Sequence, residues 1–297
     1  MTILVFGASG NIGGATAAAI EAAGAGEQLR LVTHRDDGVA GLAARFPGRD
    51  VVAADLFDRD SLQAALAGVD RVFMNVPDMT PEPDATENLV AAVRAASASA
   101  FVLRFVAWPP GAALEDLTPV TRDTGIGAAK HIRARPALAG SGLAHAFLNA
   151  PCWFMTNLPW MSLAAIRERG ELLIPCPHET PWIAPEDIGE AAAAILLRPA
   201  LQVTGQEYTI TGPQMLAFED VAGILSKLLD REIRYNDNVE DFRAYFGDMT
   251  DPMVAYFDNS RKDYAGLRPT DTLAGLLGRA PTPMTDWLAA RREMFSA

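Results

Sequence analysis

The stretch MTILVFGASGNIGG, residues 1–14, decides the fold. Thr2 to Phe6 is an apolar run rich in β-branched residues, the composition of a strand covered on both faces. It breaks into Gly7-Ala8-Ser9-Gly10-Asn11-Ile12-Gly13, and Ala15 to Ala23 then has high helix propensity. Strand, glycine turn and helix follow one another with no spare residues. In such a unit Gly7 makes the tight turn, Gly10 lets the backbone approach a ligand, and Gly13 lets the helix pack closely on the strand. The unpaired N–H groups and positive end of that helix then meet a pyrophosphate. Ser9, Asn11 and Ile12 complete the expected dinucleotide cradle. The spacing is G-x-x-G-x-x-G, not the standard G-x-G-x-x-G, so the position between strand and helix carries the reading.

Outward from this unit, strands and helices alternate. Residues 29–33 (LRLVT), 51–54 (VVAA), 69–76, 101–106 and 144–148 read as strands. Segments 41–46, 58–66, 82–98 and 123–139 read as the helices between them. The alternation predicts an α/β fold with a doubly wound parallel sheet. The strand ends at Gly7, Thr33, Asp55, Asn75 and Trp108 then gather on the carboxyl edge, where ligands bind. Asn75 and Val76 join the expected cofactor set, and Trp108 the expected substrate set.

Beyond residue 150 the rhythm changes. A proline-rich stretch carries Trp153, Phe154, Met155, Trp160 and Met161. Helices are expected over 185–197 and 218–229, with a short strand over 207–211 and no obvious parallel strands later. The expected division is residues 1–150 as a dinucleotide-binding core and 151–297 mainly as a smaller substrate-binding lobe and lid, with 183–200 returning to the core.

Composition narrows the function. With 25 basic and 37 acidic residues the formal net charge is −12, which argues against nucleic acid or an anionic membrane as partner. Cys152 and Cys176 are the only cysteines, too few for a metal cluster or a disulfide framework. No two histidines have ligand spacing, so no metal is expected. There is no 18-residue apolar span and no basic leader before the first strand, so a cytoplasmic protein is expected.

The end of the second strand selects the cofactor. An NAD site wants a carboxylate there for the ribose 2′-hydroxyl, and the sequence reads Thr33-His34-Arg35. Arg35 can fork onto a 2′-phosphate, with Thr33 donating beside it. Asp36 and Asp37 fall slightly late for the ribose. NADP(H) is therefore the expected cofactor. Asp55 stands where an acid could bond the adenine amino group or cap the next helix.

Five blocks carry a family resemblance. They are ILVFGASGNIG, AADLFDRDSLQAALAGVDRVF, SGLAHAFLNAPCWFMTNL, PWIAPEDIGEAAAAILL and GQEYTITGPQMLAFEDVAGILSKLL. In content and order they resemble the NmrA-like branch of the atypical short-chain dehydrogenases. The resemblance implies a Rossmann core, a small C-terminal substrate lobe and NADPH as the usual ligand. Members include reductases of quinones, ketones and phenolic ethers, and also dinucleotide-sensing regulators without turnover.

The departures from that pattern bear on mechanism. Short-chain dehydrogenases typically use Tyr-x-x-x-Lys as acid and pKa-lowering partner. Here Tyr208, Tyr235, Tyr245, Tyr256 and Tyr264 all follow residue 207, and none has a lysine four residues on. No serine lies between Ala100 and Thr118. In relatives the helix before an SGL-type block carries a lysine or histidine facing the nicotinamide. Aligned on Ser141-Gly142-Leu143, that place falls to His131, with Lys130 beside it. His131 is then a candidate proton donor near neutral pH, a step worth about 10²–10⁴-fold when well placed. A substrate with a phenol beside its ketone could instead supply its own proton. Trp153, Phe154, Met155 and Trp160 would cover such a flat ring system. The expected activity is NADPH-dependent reduction of a ketone or quinone on a hydrophobic, polycyclic aromatic substrate of polyketide type. A general quinone or azo-compound reductase and a non-catalytic NADP(H)-sensing regulator are the alternatives.

Overall fold

In β1 (Ile3–Val5) successive side chains enter different cores. Ile3 and Val5 pack on one side of the sheet, Leu4 and the following Phe6 on the other, and all four are buried. A strand with helices on both faces is apolar throughout, which is why the opening run lacks polar alternation. The computed structural model describes residues 1–76, 80, 82–96, 99–124 and 127–296.

The chain continues through α1 (Asn11–Ala22), β2 (Leu29–Thr33), α2 (Val39–Arg45), β3 (Asp50–Ala53), α3 (Arg59–Ala65), β4 (Arg71–Met74), α4 (Asp84–Ala96) and β5 (Phe101–Val106). Then come α5 (Pro119–Thr124), α6 (Ala128–Ala139), β6 (His145–Asn149), β7 (Trp153–Phe154), α7 (Asn157–Arg169), β8 (Glu171–Leu173), β9 (Thr180–Ile183), α8 (Pro185–Leu196), α9 (Ala200–Val203), β10 (Glu207–Thr209) and β11 (Gln214–Leu216). The last elements are α10 (Phe218–Leu229), β12 (Arg234–Asn236), α11 (Val239–Phe246), α12 (Thr250–Asp263), α13 (Thr272–Leu277), α14 (Met284–Ala289) and α15 (Arg292–Phe295).

Seven strands form the central sheet in the order β10-β6-β5-β4-β1-β2-β3, every neighbouring pair parallel. The direction of winding reverses between β1 and β4, and the crevice outside the carboxyl ends at that point is where such folds bind ligands. Helix α1 lies on α8, which can come close because Gly189 has no side chain: a Cβ there would stand 2.4 Å from the Ala15 carbonyl carbon. The opposite core takes Leu62 of α3, Leu89 of α4 and Ile132 of α6.

The remaining elements build a lobe around Trp182, Phe218, Phe242 and Trp287. It contains a three-stranded sheet, β11-β9-β7, and a parallel pair, β8 with β12. β12 pairs in parallel with β8, a strand in the final hundred residues where the sequence shows no obvious one. β10 and α13 return to the central layer, β10 beside β6 and α13 against α8. The helix expected over 123–139 is two helices, α5 and α6. Residues 125–126 between them lie outside the description, and Gly127 has φ +58, a backbone that ends helical continuity. Among the described residues no helix is long and apolar enough to cross a membrane.

Candidate functional site

Where β1 meets α1, the chain turns on glycines. Gly7 has φ +70 and Gly10 donates its N–H back to the Gly7 carbonyl at 2.9 Å. A Cβ on Gly13 would stand 2.3 Å from the Gly7 carbonyl oxygen, so the helix reaches the strand only through glycine. The N-cap of α1 is Gly10, which offers no side-chain cap, and the first turn holds no acidic residue. The orphan N–H groups of Asn11 and Ile12 thus lack a side-chain acceptor, and a phosphate suits that end. Asn75 follows β4 directly opposite, its Nδ2 3.3 Å from where a Gly7 Cβ would be. Val76 is buried beside it. These residues fit the diphosphate of a dinucleotide.

The β2 side adds cations. Arg35 is two-thirds exposed and forks onto Asp37 at 3.2 and 3.0 Å. His34 is exposed. Thr33 is buried, with its hydroxyl against the Gly38 backbone. Sequence reasoning missed Arg45. Its guanidinium packs on Gly14, where a Cβ would clash at 2.6 Å, and donates to the Ser9 carbonyl at 3.4 Å. The fourth glycine of the turn, Gly14, was the available signal. Asp55 does not cap α3, since Asp58 does so through the Asp60 and Ser61 N–H groups. Asp55 instead closes its own turn by accepting from Phe57 N–H at 2.9 Å.

His131 lies on α6 against the sheet, 4% exposed, with Lys130 buried beside it. Its Nδ1 is 3.4 Å from Nη2 of Arg104 on β5. A guanidinium only donates, so Nδ1 accepts and the ring proton sits on Nε2. Arg104 also gives a 3.0 Å hydrogen bond to the fully buried Glu82 carboxylate. Burial, then the charges of Arg104 and Lys130, hold His131 well below the ordinary histidine value. His131, expected as a candidate proton donor near neutral pH, is thus a buried ring held toward its neutral form beside the cation of Arg104.

That shift has a stability consequence. The unfolded chain takes a proton at this ring as pH falls through the ordinary 6.5, whereas the folded chain does not. Stability from this group is complete above that pH and drains as the pH falls below it. His131→Gln keeps an acceptor for Arg104 and should flatten most of the decline between pH 6.5 and 5, measured by urea unfolding at each pH. His178, lowered by burial and Arg261, supplies the residual slope. An unchanged slope in the variant would refute the assignment.

The expected substrate residues do not share one wall. Trp108 is fully buried: its indole N–H donates to Glu207 at 2.8 Å, Phe147 packs on it at 5.2 Å, and Arg135 stacks over it at 5.1 Å. Asn149 pairs with its backbone in both directions, tying the ends of β5 and β6 together. Trp108 thus has no surface for a substrate. Neither has Met155, at 1% exposure in the lobe core. Trp153 and Phe154 are half-buried and diverge, as neighbours on a strand must. Trp153 meets Trp182, Phe218 and Phe257, while Phe154 meets Phe105 of the central sheet at 6.0 Å. Trp160 is 69% exposed, edge-on to Phe246.

The lobe also delivers a residue that sequence spacing hid. Tyr264, at the C-cap of α12, brings its hydroxyl to the Ala107 carbonyl just past β5, at 3.4 Å. On the same helix Tyr256 covers Gly127 before α6. Helix α12 therefore lies across the carboxyl edge beside β5 and α6. Both cysteines are free, and burial pushes each thiol up to about 12, which leaves them unreactive near neutral pH.

A model of the NmrA-like family matches residues 1–253. An NAD(P)H azoreductase of Xenophilus azovorans is 31% identical over 94% of this chain and 91% of its own. A (4-alkanoyl-5-oxo-2,5-dihydrofuran-3-yl)methyl phosphate reductase of Streptomyces griseus is 28% identical over 99% of both chains. Among solved structures, an NADPH-dependent quinone oxidoreductase of Escherichia coli complexed with NADPH superposes with a TM-score of 0.78. It covers 98% of this chain and all of that one at 21% identity.

Proposed function

The chain belongs to the NmrA-like family, and we propose that it is an NADPH-dependent reductase of a ketone or quinone carbonyl on a hydrophobic aromatic substrate. The observation that carries this reading is the uncapped, acid-free amino end of α1 at the sheet's switch point, faced by Asn75. Reductase relatives along nearly the whole chain support it. The cofactor is NADP(H), which when bound supplies the hydride. Gly7, Ser9, Gly10, Asn11, Ile12 and Gly13 would hold its diphosphate through main-chain N–H groups. Arg35, now paired with Asp37, would hold the 2′-phosphate, with Arg45 adding positive charge. Residues 1–150 with 183–200 serve the cofactor, and the lobe covers the substrate.

The protein's part in the chemistry is placement of the cofactor against the carbonyl. The half-buried Trp153 and Phe154 flank the end of β6, and Tyr264 reaches the end of β5 from the lobe. With His131 held neutral and buried, the carbonyl takes its proton from the substrate's own phenol or from water. A non-catalytic NADP(H) sensor is the second reading, favoured by the same buried, neutral His131 and by the missing Tyr-x-x-x-Lys.

NADPH oxidation followed at 340 nm separates the readings. The panel holds simple quinones, isolated ketones, azo dyes and polycyclic ketones with an adjacent phenol. Turnover confined to the last group supports the substrate-assisted reductase, and turnover of simple quinones or azo dyes makes this a general reductase. Tight binding with no oxidation leaves the sensor. In the same assay Arg35→Ala should weaken NADPH by about 1.5–3 kcal/mol and leave NADH nearly untouched. Equal losses for both would remove Arg35 from the 2′-phosphate.

A further inference from the structure

A cavity of about 280 Å³ opens between the β8–β9 connection and the last turns of α12, lined by Pro177, His178, Asp258, Arg261 and Lys262. Its charges run against the chain's acidic character. Arg261 and Lys262 are exposed and, among the described residues, neither lies within ion-pairing distance of a carboxylate. Asp258, one turn earlier on the same face, lines the cavity without pairing to either. His178 is half-buried, 3.5 Å from the Cys176 thiol. Burial and the Arg261 charge keep it below its ordinary value against the pull of Asp258, so at neutral pH it is an N–H donor without charge. Two cations and a neutral donor therefore face one carboxylate.

The cavity has a defined relation to the carboxyl edge. Tyr264 follows Lys262 by two residues and touches Ala107 at the end of β5. Phe257 of α12 packs on Trp153 at 5.4 Å, just past the end of β6. The cations thus stand within about one helical turn, ~5 Å along the axis, of the residue that reaches the sheet. Basic residues in a last turn also complement a helix dipole, a role that needs no cavity and discriminates among no ligands.

We infer that this cavity binds an anionic group (carboxylate, sulfonate or phosphate monoester) carried by the aromatic substrate at the end remote from its reducible carbonyl. The word substrate rests on the reductase reading, but binding does not require turnover. The sign of each charge then sets the outcome. Arg261 and Lys262 attract the group, and Asp258 opposes it and sets an upper limit on its affinity.

The test is calorimetric titration of the protein saturated with NADP⁺, which keeps the diphosphate cradle filled. The probes are 1-naphthyl phosphate, neutral 1-naphthol and inorganic phosphate, none of them reducible. At low salt 1-naphthyl phosphate should bind about tenfold tighter than 1-naphthol, the gap closing as salt rises. Arg261→Ala with Lys262→Ala should bring the two to parity. Asp258→Asn, an exposed substitution with little risk to folding, should tighten 1-naphthyl phosphate about twofold or more and leave 1-naphthol unchanged. Equal affinities in the parent, or a preference that survives the double variant, would overturn the inference. So would inorganic phosphate binding as tightly as the aromatic ester, which makes the cavity a site for free anions. Reduction of a neutral quinone is measured separately. Its persistence without anion preference refutes the cavity alone, and anion preference without any NADPH oxidation refutes the reductase alone.

Discussion

Gly13→Ala should yield a protein that has lost NADPH binding by at least about 100-fold, or 2.7 kcal/mol, and has lost stability as well. The added Cβ would stand 2.3 Å from the Gly7 carbonyl oxygen and 2.5 Å from its carbon. Both are backbone atoms of a turn fixed at φ +70, so nothing nearby can rotate away. Helix α1 must retreat from β1, carrying off the N–H groups that face the diphosphate, and such overpacking costs about 1–3 kcal/mol of stability. Gly10→Ala is the control. Gly10 has φ −88, and its Cβ would meet only the Gly7 oxygen at 3.4 Å. That variant should unfold within about 0.5 kcal/mol of the parent yet bind NADPH about tenfold more weakly, because the new methyl stands where the ligand approaches. Thermal unfolding without ligand and fluorescence titration with NADPH read the two quantities apart. Retention of NADPH affinity within threefold in Gly13→Ala would show that the turn is not the cradle. Equal stability losses in the two variants would show that helix–strand contact is not what Gly13 provides.

The contrast between these glycines was legible in the sequence, since position in a strand–turn–helix unit assigns each a different job. The central sheet was legible for a related reason. Its central strand β1 is buried on both faces and reads as an unbroken apolar run, so Ile3 to Phe6 needed no partner to be recognised, whereas β3 and β10 at the edges are only partly buried. The strands of the lobe, β7, β8, β9, β11 and β12, have two to four residues each, too few to establish a period. The candidate site was harder because its side chains answer to distant ones. Trp108 sits at a strand end as expected, but Glu207, 99 residues away, turns its indole inward. His131 has the place the family resemblance gives it, but its protonation is set by burial and by the charges of Arg104 on β5 and Lys130. Tyr264 reaches β5 only because α12 folds back over the carboxyl edge, and no local spacing records that.

Arg104 is the residue whose loss should cost most in stability. A cation inside the strand FVLRFV demands a buried partner, and Glu82, 0% exposed in its side chain, accepts from it at 3.0 Å. Arg104→Met leaves that carboxylate in the interior with only the Thr86 N–H and hydroxyl as donors among the described contacts, each at 3.2 Å. Breaking one side of a buried pair costs about 3–5 kcal/mol, which in a chain of this size lowers Tm on the order of 10 °C. Adding Glu82→Gln removes the stranded charge, so the double variant should be more stable than Arg104→Met alone; a coupling of about 0.5–3 kcal/mol is the scale for residues in contact. The same substitution deletes one of the two charges that hold His131 down, so the His131 ring should titrate closer to its ordinary value by proton NMR. A merely space-filling arginine would move Tm and leave that titration where it was. Glu82 stands just before α4, and the pair ties this end of α4 to β5. Arg104→Met should therefore raise the NADPH Kd, and the Glu82→Gln partner change should not restore it, because the neutral pair no longer holds Glu82, just downstream of Asn75 and Val76, against β5. Restoration of NADPH affinity along with Tm would show that the pair serves the fold alone.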